Sequence, residues 1–239
     1  MRCVIKTLAL LMIVMLTVID HQHVLGNTHD EWEIKNTSGL QAYKAQQYEQ
    51  AIQLFKEALL TIPEEEQPNS RQAMTLNNVA AAHEALGRYD EAELYYQQSL
   101  TVVERIQGPN HPDLLPGLKN LAILHREQRN FDQAERLYQR SVFIIQHILG
   151  NSHPHLIPGL LDLAHVSQAQ GEYGRAEGYY ERALAIGEAE LAPAHHQTQT
   201  IRMQYANLLR HLNRIDDAEE LERRARRGLE NPGNYSESK

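Results

Sequence analysis

One polar position, which recurs every 42 residues, holds the side chains of this sequence best suited to specific chemistry. It is occupied by Asn78, Asn120, Asp162 and Gln204. A side-chain amide has two N–H donors and a carbonyl acceptor, so it can bridge the peptide groups of an extended chain of any sequence. Asp162 departs from this chemistry, because an ionised carboxylate only accepts hydrogen bonds. The row therefore indicates binding through hydrogen bonds rather than catalysis.

The sequence contains 13 histidines, which makes a metal site an alternative use of its polar residues. His111, His153 and His195 recur in the segments that separate the repeated blocks. Packed helices lie about 8–10 Å apart, whereas zinc needs ligands about 2 Å from one centre. One histidine per block cannot meet that distance, and the pair of His153 and His155 supplies too few ligands. We therefore expect no metal and no cofactor.

No motif typical of an enzyme is present in the sequence. It has no phosphate-binding glycine loop, no Gly-x-Ser-x-Gly and no His-Glu-x-x-His. The only cysteine is Cys3, so the remainder of the chain can form neither a disulfide nor a thiol nucleophile. The formal net charge is −8. The sequence also lacks a basic stripe, so we exclude nucleic acid as a partner. We expect a protein that is not an enzyme.

The elements that position the polar row are themselves repeated at the same spacing. Two sets of alanines are each spaced 42 residues apart: Ala80, Ala122, Ala164 and Ala206, and Ala92, Ala134, Ala176 and Ala218. The turn sequence at 108–112 returns, slightly altered, at 150–154. A fixed period between 20 and 50 residues is typical of a solenoid rather than a single closed core.

Each repeat reads as two antiparallel helices. Apolar residues spaced by three and four predict a helix from Gln72 to Leu86, which Gly87 ends by adopting a positive φ. The residues equivalent to Gly87 are Arg129, Gly171 and Asn213. A second helix is predicted from Asp90 to Ile106, before the Gly108-Pro109 stop. Asp113 is predicted to cap the helix that follows.

These residues resemble the tetratricopeptide repeat. In the second copy the residues at its pattern positions are Ala80, His83, Tyr89, Ala92, Tyr96 and Ser99. The 42-residue period and the segments 76–80 and 108–113 look like the kinesin light chain type of this repeat. His83 and His125 replace a packing aromatic of the pattern and are expected to be structural. The resemblance covers residues 31–230.

The resemblance implies an all-α fold, a right-handed superhelical solenoid of about five helical hairpins spanning residues 27–230. The predicted repeats are approximately 31–68, 71–112, 113–154, 155–196 and 197–230. The fifth copy loses its aromatics, since Ile215 and Glu222 replace tyrosines, and it is expected to act as a polar terminal cap. Residues 231–239 are predicted to form a disordered tail.

In this family the first helix of each hairpin lines a concave groove, and the resemblance places the polar row there. The peptide-binding residues it implies are Asn77, Asn78, Lys119, Asn120, Ile123, Arg126, Asp162, Gln204 and Asn207. Their mixed charge, together with the apolar groove positions Met74, Ile123, Leu161 and Met203, suggests a partly apolar ligand. Removing the amides of Asn78 and Asn120 is expected to weaken partner binding and to leave stability almost unchanged.

The N-terminus has a different composition from the repeats. Arg2 and Lys6 precede an apolar run at 8–19, and Val24-Leu25-Gly26 follows it. This is the layout of a secretory signal peptide, predicted here at 1–26. The apolar run is shorter than the roughly 20 residues of a membrane-spanning helix. We expect export to the periplasm or beyond the cell, with no stable membrane insertion after cleavage.

The sequence as a whole predicts an exported scaffold for protein–protein interaction, which binds a partner peptide or helix in the groove of the repeats. The identity of that partner is left open. The alternative is a self-assembling structural module of the cell envelope, in which repeats stack between chains and the protein is a homo-oligomer.

Overall fold

The computed structural model describes residues 31–66, 68–191 and 195–230, with side chains described up to residue 226. Every regular element in these ranges is helical, as predicted. None of the helices described there has the length and apolar character needed to span a membrane. The predicted signal peptide at 1–26 and the predicted tail at 231–239 lie outside the described residues.

Within the described ranges ten α-helices form five successive hairpins, numbered 1 to 5 along the chain. The helices are α1 (31–44), α2 (Tyr48–Leu60), α3 (Ser70–Ala85), α4 (Tyr89–Gln107), α5 (Leu115–Glu127), α6 (Phe131–Leu149), α7 (Leu156–Ala169), α8 (Tyr173–Glu190), α9 (His196–His211) and α10 (Ile215–Glu230). Two 3-10 turns, Glu64–Glu66 and Pro112–Leu114, lie between hairpins. The helix α3 starts two residues before the predicted Gln72, because Asn69 Oδ1 accepts from the backbone N–H of Gln72 at 2.8 Å.

The chain divides into two compact units within the loop that follows α4. Unit 1 is Met1–Pro109, whose described part contains α1 to α4, and unit 2 is Asn110–Lys239, which contains α5 to α10. Each unit is built from consecutive helical hairpins and has its own buried residues, so the two are described separately.

The core of unit 1 is built from small residues packed against a few large ones. A Cβ on Gly39 would lie 2.5 Å from the Phe55 ring, so only glycine allows the first two helices to approach there. Trp32 is buried nearby, and its indole Nε1–H donates to Thr75 Oγ1 at 3.1 Å. A buried indole N–H needs such a partner, so this bond connects hairpins 1 and 2.

The core of unit 2 repeats one arrangement through its three hairpins. The repeated alanines are fully buried, including Ala134 and Ala176, where a larger side chain would overpack the helix crossing. Tyr138 and Tyr180 are each only 1% exposed. Ile201 on α9 packs into the same buried cluster, which is continuous from α5 to α10. The prediction of close helix packing at the alanines is confirmed.

The predicted helix ends are confirmed by the backbone angles. Gly87 and Gly171 have φ of 72° and 79°, and the equivalent Arg129 and Asn213 both have φ of 62°. A positive φ is easily adopted by glycine and tolerated by asparagine. Arg129 adopts it at a cost, because its Cβ crowds the backbone in that conformation.

The histidines between the repeats are turn residues. The Nδ1 atoms of His111, His153 and His195 accept backbone N–H groups two residues further on, at 3.2, 3.2 and 3.3 Å. The prediction that Asp113 caps the next helix was wrong: Asp113 supplies the N–H that His111 accepts, and it lies within the 3-10 turn. The His111 imidazole nitrogen can accept this N–H because His111 lies one position before the 3-10 turn starts.

Ion pairs join neighbouring hairpins inside each unit. In unit 1 the Arg88 guanidinium pairs with Glu49. In unit 2 Arg175 pairs with the buried Glu135 of the preceding hairpin, and Arg214 pairs in the same way with Glu177. Because the arginines are partly exposed, water screens these pairs, and they fix the stacking of hairpins more than they add stability.

Candidate functional site

The predicted amides of unit 1 lie on α3, and one of them is already bonded within the fold. Asn77 and Asn78 are half-buried. The Asn78 side-chain Nδ2–H donates to Oδ1 of Asn36, 42 residues earlier, at 3.2 Å. Asn36 is only 5% exposed. Asn78 therefore uses one N–H internally and keeps its carbonyl and second N–H for a ligand.

This bond corrects one expectation from the sequence. Asn78 was predicted to contribute to binding and hardly to stability. Changing it to alanine would leave the Asn36 carbonyl, which is buried, without the donor it has now. Stranding a buried polar group costs about 1–3 kcal/mol, so Asn78 is also a structural residue.

In unit 2 the polar row meets charged side chains. Asp162 on α7 is half-buried, and burial raises the pKa of its carboxyl group. Lys119 and Arg126 on α5 and His165 on α7 are close enough to oppose that shift. The structure thus brings three of the predicted residues, Lys119, Arg126 and Asp162, near one another.

His165 links Asp162 to the last member of the row. Burial lowers the pKa of the His165 imidazole, and Gln204 on α9 lies within reach of the ring and opposes this shift. Gln204 is itself half-buried. His165 is one helical turn from Asp162, so α5, α7 and α9 contribute to one continuous polar region in unit 2.

The other predicted residues of unit 2 differ in exposure. Asn120 and Ile123 on α5 are half-buried, and Lys119 on the same helix is exposed. Asn207 on α9 is exposed. Ile123 adds an apolar side chain to a region that is otherwise polar and charged.

A second recurring feature, missed in the sequence, pairs the two helices in hairpins 2, 4 and 5. A side chain near the end of the first helix faces one 12 residues later on the second helix. Tyr96 Oη–H donates to Glu84 Oε2 at 2.7 Å, and Tyr180 Oη–H donates to Gln168 Oε1 at 2.9 Å. Burial raises the pKa of the equivalent Tyr138, with nearby Asp162 adding to the rise and Arg126 opposing it, and its buried hydroxyl has no hydrogen-bond partner among the described residues.

Tyr138 was missed because an aromatic residue at its position is already explained by packing. The signal that could have found it is the residue at the paired position. Glu84 and Gln168 can accept from a tyrosine, whereas a guanidinium has no acceptor. Arg126 was predicted to be a site residue, but its relation to Tyr138 follows only from the folded hairpin.

The histidine, cysteine and carboxylate side chains within the described ranges form no group of three able to hold a metal ion. The two buried histidines at the aromatic pattern position are His83 and His125, each 5% exposed. The His83 ring stacks on Tyr95 with centroids 5.4 Å apart. His83 therefore packs as the aromatic residue it replaces.

The fold and the repeated row define a class of protein, a solenoid of helical hairpins. The sequence model of the tetratricopeptide repeat matches residues 33–102, 71–144 and 157–231. The chain belongs to the tetratricopeptide repeat family, and its resemblance to repeats of the kinesin light chain type is confirmed. No curated protein matches the chain in sequence.

Several solved structures share the fold at low sequence identity. BtubC (BKLC) from P. vanneervenii matches with a TM-score of 0.69 and 17% identity, over 91% of this chain and 94% of that one. A candidate kinesin light chain from Podosopora anserina gives 0.70 and 19%, over 84% and 97%. PilF from Pseudomonas aeruginosa gives 0.59 and 17%, over 84% and 78%. These matches confirm the all-α solenoid fold.

The tetratricopeptide fold is typical of scaffolds for protein–protein interaction, which in general are not catalytic. Membership of this family therefore supports the predicted role as a scaffold for protein–protein interaction.

Proposed function

We propose that the chain is an exported scaffold that holds an extended peptide or a helix of a partner protein along the polar row of unit 2. The observation that carries this proposal is the row itself. Asn120, Asp162 and Gln204 stand at one repeated position on α5, α7 and α9, and all three are half-buried, as is Asn78 at the same position in unit 1. Half-buried polar groups are partly desolvated already, so less water must be displaced when a ligand binds.

The chemistry of the row suits a peptide backbone. An amide such as Asn120 offers a donor and an acceptor to each peptide group, and Asp162 accepts from a backbone N–H. The half-buried Ile123 can contact an apolar side chain of the same ligand. Rigid hairpins hold these groups in place before the partner arrives, which reduces the entropy lost on binding.

The test is capture of the partner with the full chain, followed by affinity measurements on purified components. The double change Asn120→Ala, Asp162→Ala removes two adjacent members of the row in unit 2. A net hydrogen bond contributes about 0.5–1.5 kcal/mol, and 1.4 kcal/mol is a factor of ten. The double variant should therefore bind the partner about tenfold more weakly, or worse.

The matched control is Arg105→Ala, because Arg105 is exposed in the last turn of α4, a second helix. It should bind like the wild type. Equal affinity of the double variant and the wild type would refute binding by the row. Light scattering over a range of concentrations examines the alternative, since a self-assembling module would grow in mass while a partner-binding scaffold would not.

The exported state is also part of the proposal. It is supported by the sequence at 1–26, where basic residues, an apolar run and a Val24-Leu25-Gly26 cleavage segment follow one another. N-terminal sequencing of protein collected outside the cytoplasm should begin near Asn27. Full-length protein retained in the cytoplasm would contradict export without affecting the proposed binding by the row.

A further inference from the structure

The sequence contains two Asn-x-Ser motifs, Asn-Thr-Ser at 36–38 and Asn-Tyr-Ser at 234–236. Such a motif is the acceptor for asparagine-linked glycosylation in proteins that pass through the endoplasmic reticulum. A glycan is bulky and hydrophilic, so acceptors of this kind lie on the exposed surface of secreted proteins. The motif at 234–236 lies outside the described residues. The motif at 36–38 lies within the helix α1, and the structure shows its surroundings.

Asn36 is buried where α1 meets α3. It is only 5% exposed, and its Oδ1 accepts a hydrogen bond from Asn78 Nδ2 at 3.2 Å. One helical turn earlier on α1, the buried Trp32 donates to Thr75 Oγ1 on α3 at 3.1 Å. These two bonds join the same two helices, so Asn36 lies within the surface through which hairpin 1 packs on hairpin 2.

A glycan on Asn36 is incompatible with this packing. Glycosyl transfer joins the anomeric carbon of a lipid-linked oligosaccharide to Nδ2, which loses one hydrogen, and releases the lipid diphosphate. Nδ2 and Oδ1 are bonded to the same carbon, so the first sugar would start beside the Asn78 amide. A residue that is 5% exposed leaves no room for a sugar ring. The glycan would therefore separate α1 from α3 and break the bonds of both Asn36 and Trp32.

The fold cannot protect Asn36 from such a modification. In the endoplasmic reticulum the transfer takes place as the chain enters, and the N-terminal part of the chain enters first. The partners Asn78 and Thr75 follow Asn36 and Trp32 by 42 and 43 residues. Asn36 would therefore meet the transferase before α3 is available to cover it.

We infer that Asn36 must stay unmodified for hairpin 1 to pack on hairpin 2, and that the chain leaves the cytoplasm by a route without this glycosylation. Such a route crosses a bacterial plasma membrane rather than entering the endoplasmic reticulum. The inference rests on the export part of the proposed function and narrows it to one kind of export. It is independent of binding by the polar row.

The experiment secretes residues 27–239, which contain every described helix, from eukaryotic cells behind a signal peptide of the host. The same chain is made in the bacterial periplasm without glycosylation. Two variants each keep one motif: Ser236→Ala keeps the motif of Asn36, and Ser38→Ala keeps the motif of Asn234. Ser38 is half-buried, so both variants are first shown to unfold in urea like the wild type when made in bacteria.

Glycan occupancy at each asparagine is measured by mass spectrometry, and folding is followed by hydrogen exchange. In eukaryotic cells Ser236→Ala should carry a glycan on Asn36 and should exchange faster in α1 and α3 than the bacterial protein. It should be secreted several-fold less than Ser38→Ala, because cells retain and degrade unfolded chains. Ser38→Ala is the matched control, since any glycan on it is at Asn234. Its exchange in α1 and α3 should equal that of the bacterial protein.

Three outcomes would overturn the inference. Secreted Ser236→Ala with a glycan on Asn36 and unchanged exchange in α1 and α3 would show that the fold accommodates the glycan. An unmodified Asn36 in the eukaryotic product would show that the motif does not distinguish the two routes. Equal loss of secretion in Ser38→Ala would show that the glycan on Asn36 is not the cause.

These outcomes are separate from failure of the proposed function. None of them affects binding by the polar row, which is tested by the changes at Asn120 and Asp162. Full-length protein retained in the cytoplasm of its own cells would instead remove export, and this inference with it.

Discussion

Hairpins 2 and 3 place a tyrosine at the same position and use its hydroxyl differently. In hairpin 2 the Tyr96 hydroxyl donates to Glu84 at 2.7 Å, so the pair is complete within the fold. In hairpin 3 the equivalent Tyr138 is as deeply buried, but Arg126 stands where Glu84 would be. A single difference, acid to base, thus removes the acceptor that completes the pair in hairpin 2.

The polar row shows the same contrast between units 1 and 2. In unit 1 Asn78 is bonded to the buried Asn36, and part of its hydrogen-bonding capacity is used by the fold. In unit 2 Asp162 lies among Lys119, Arg126 and His165. At this repeated position unit 1 therefore has an amide bonded within the fold, whereas unit 2 has a carboxylate with charged neighbours.

The largest predicted effect concerns packing, which hairpins 2 and 3 share. Ala92 and Ala134 are fully buried, and changing either to leucine should cost about 1–3 kcal/mol by overpacking. Because repeats contact only their neighbours, hydrogen exchange should rise mainly in unit 1 for Ala92→Leu and in unit 2 for Ala134→Leu. A uniform rise across both units for either variant would indicate a single closed core instead.

A smaller effect is predicted for the hydroxyl of hairpin 2. Tyr96→Phe removes the hydrogen bond to Glu84 and should lower the free energy of unfolding by about 0.5–1.5 kcal/mol, measured in urea. Tyr89→Phe on the same helix is the control, since Tyr89 is exposed, and it should have no measurable effect. If Tyr96→Phe is as stable as the control, the bond to Glu84 contributes nothing.

The next prediction concerns pH and unit 1. Burial lowers the pKa of His83, helped by Lys56 and Arg88 and opposed by Glu91 and Glu49. Below pH about 6.5 the unfolded chain takes up a proton at this residue that the folded chain resists. Stability contributed by neutral His83 is therefore lost as pH falls below about 6.5, until the lowered folded pKa is reached.

The measurement that checks this prediction is the free energy of unfolding of His83→Phe and of the wild type between pH 8 and pH 5. The phenylalanine restores an aromatic at the pattern position and cannot titrate. The variant should gain stability relative to the wild type as pH falls. A difference that does not change with pH would mean that His83 is protonated equally easily in both states.

Most of the fold follows from the sequence, because its period is carried by residues with strong local preferences. The alanines at 80, 92 and their equivalents predict close helix packing, and Gly87 and Gly171 predict the helix ends. Even Arg129, which is unsuited to a positive φ, adopts it because the neighbouring hairpins impose the turn. The small residues at helix crossings and the residues that end helices recur at the same 42-residue period, so each set supports the helix boundaries predicted from the other.

The site is less predictable, because it depends on pairs of residues that the sequence separates. Asn36 lies 42 residues from Asn78, and its burial beside that amide is not visible in the helical pattern. Tyr138 reads as a packing aromatic until the folded hairpin brings Arg126 to it. The sequence assigns Asp113 to cap α5, but a 3-10 turn capped by His111 intervenes and α5 begins after Leu114 without a side-chain cap.

The central claim is that hairpin 3 lacks the acceptor that completes the tyrosine pair of hairpin 2, and the unfolding free energy of Tyr138→Phe tests it most directly. Removing a buried donor that has no partner in the fold should leave stability unchanged or raise it slightly, by about 1 kcal/mol at most. This is the opposite of the result for Tyr96→Phe. A loss in Tyr138→Phe as large as the loss in Tyr96→Phe would show that the hydroxyl already has a partner, and would contradict the account.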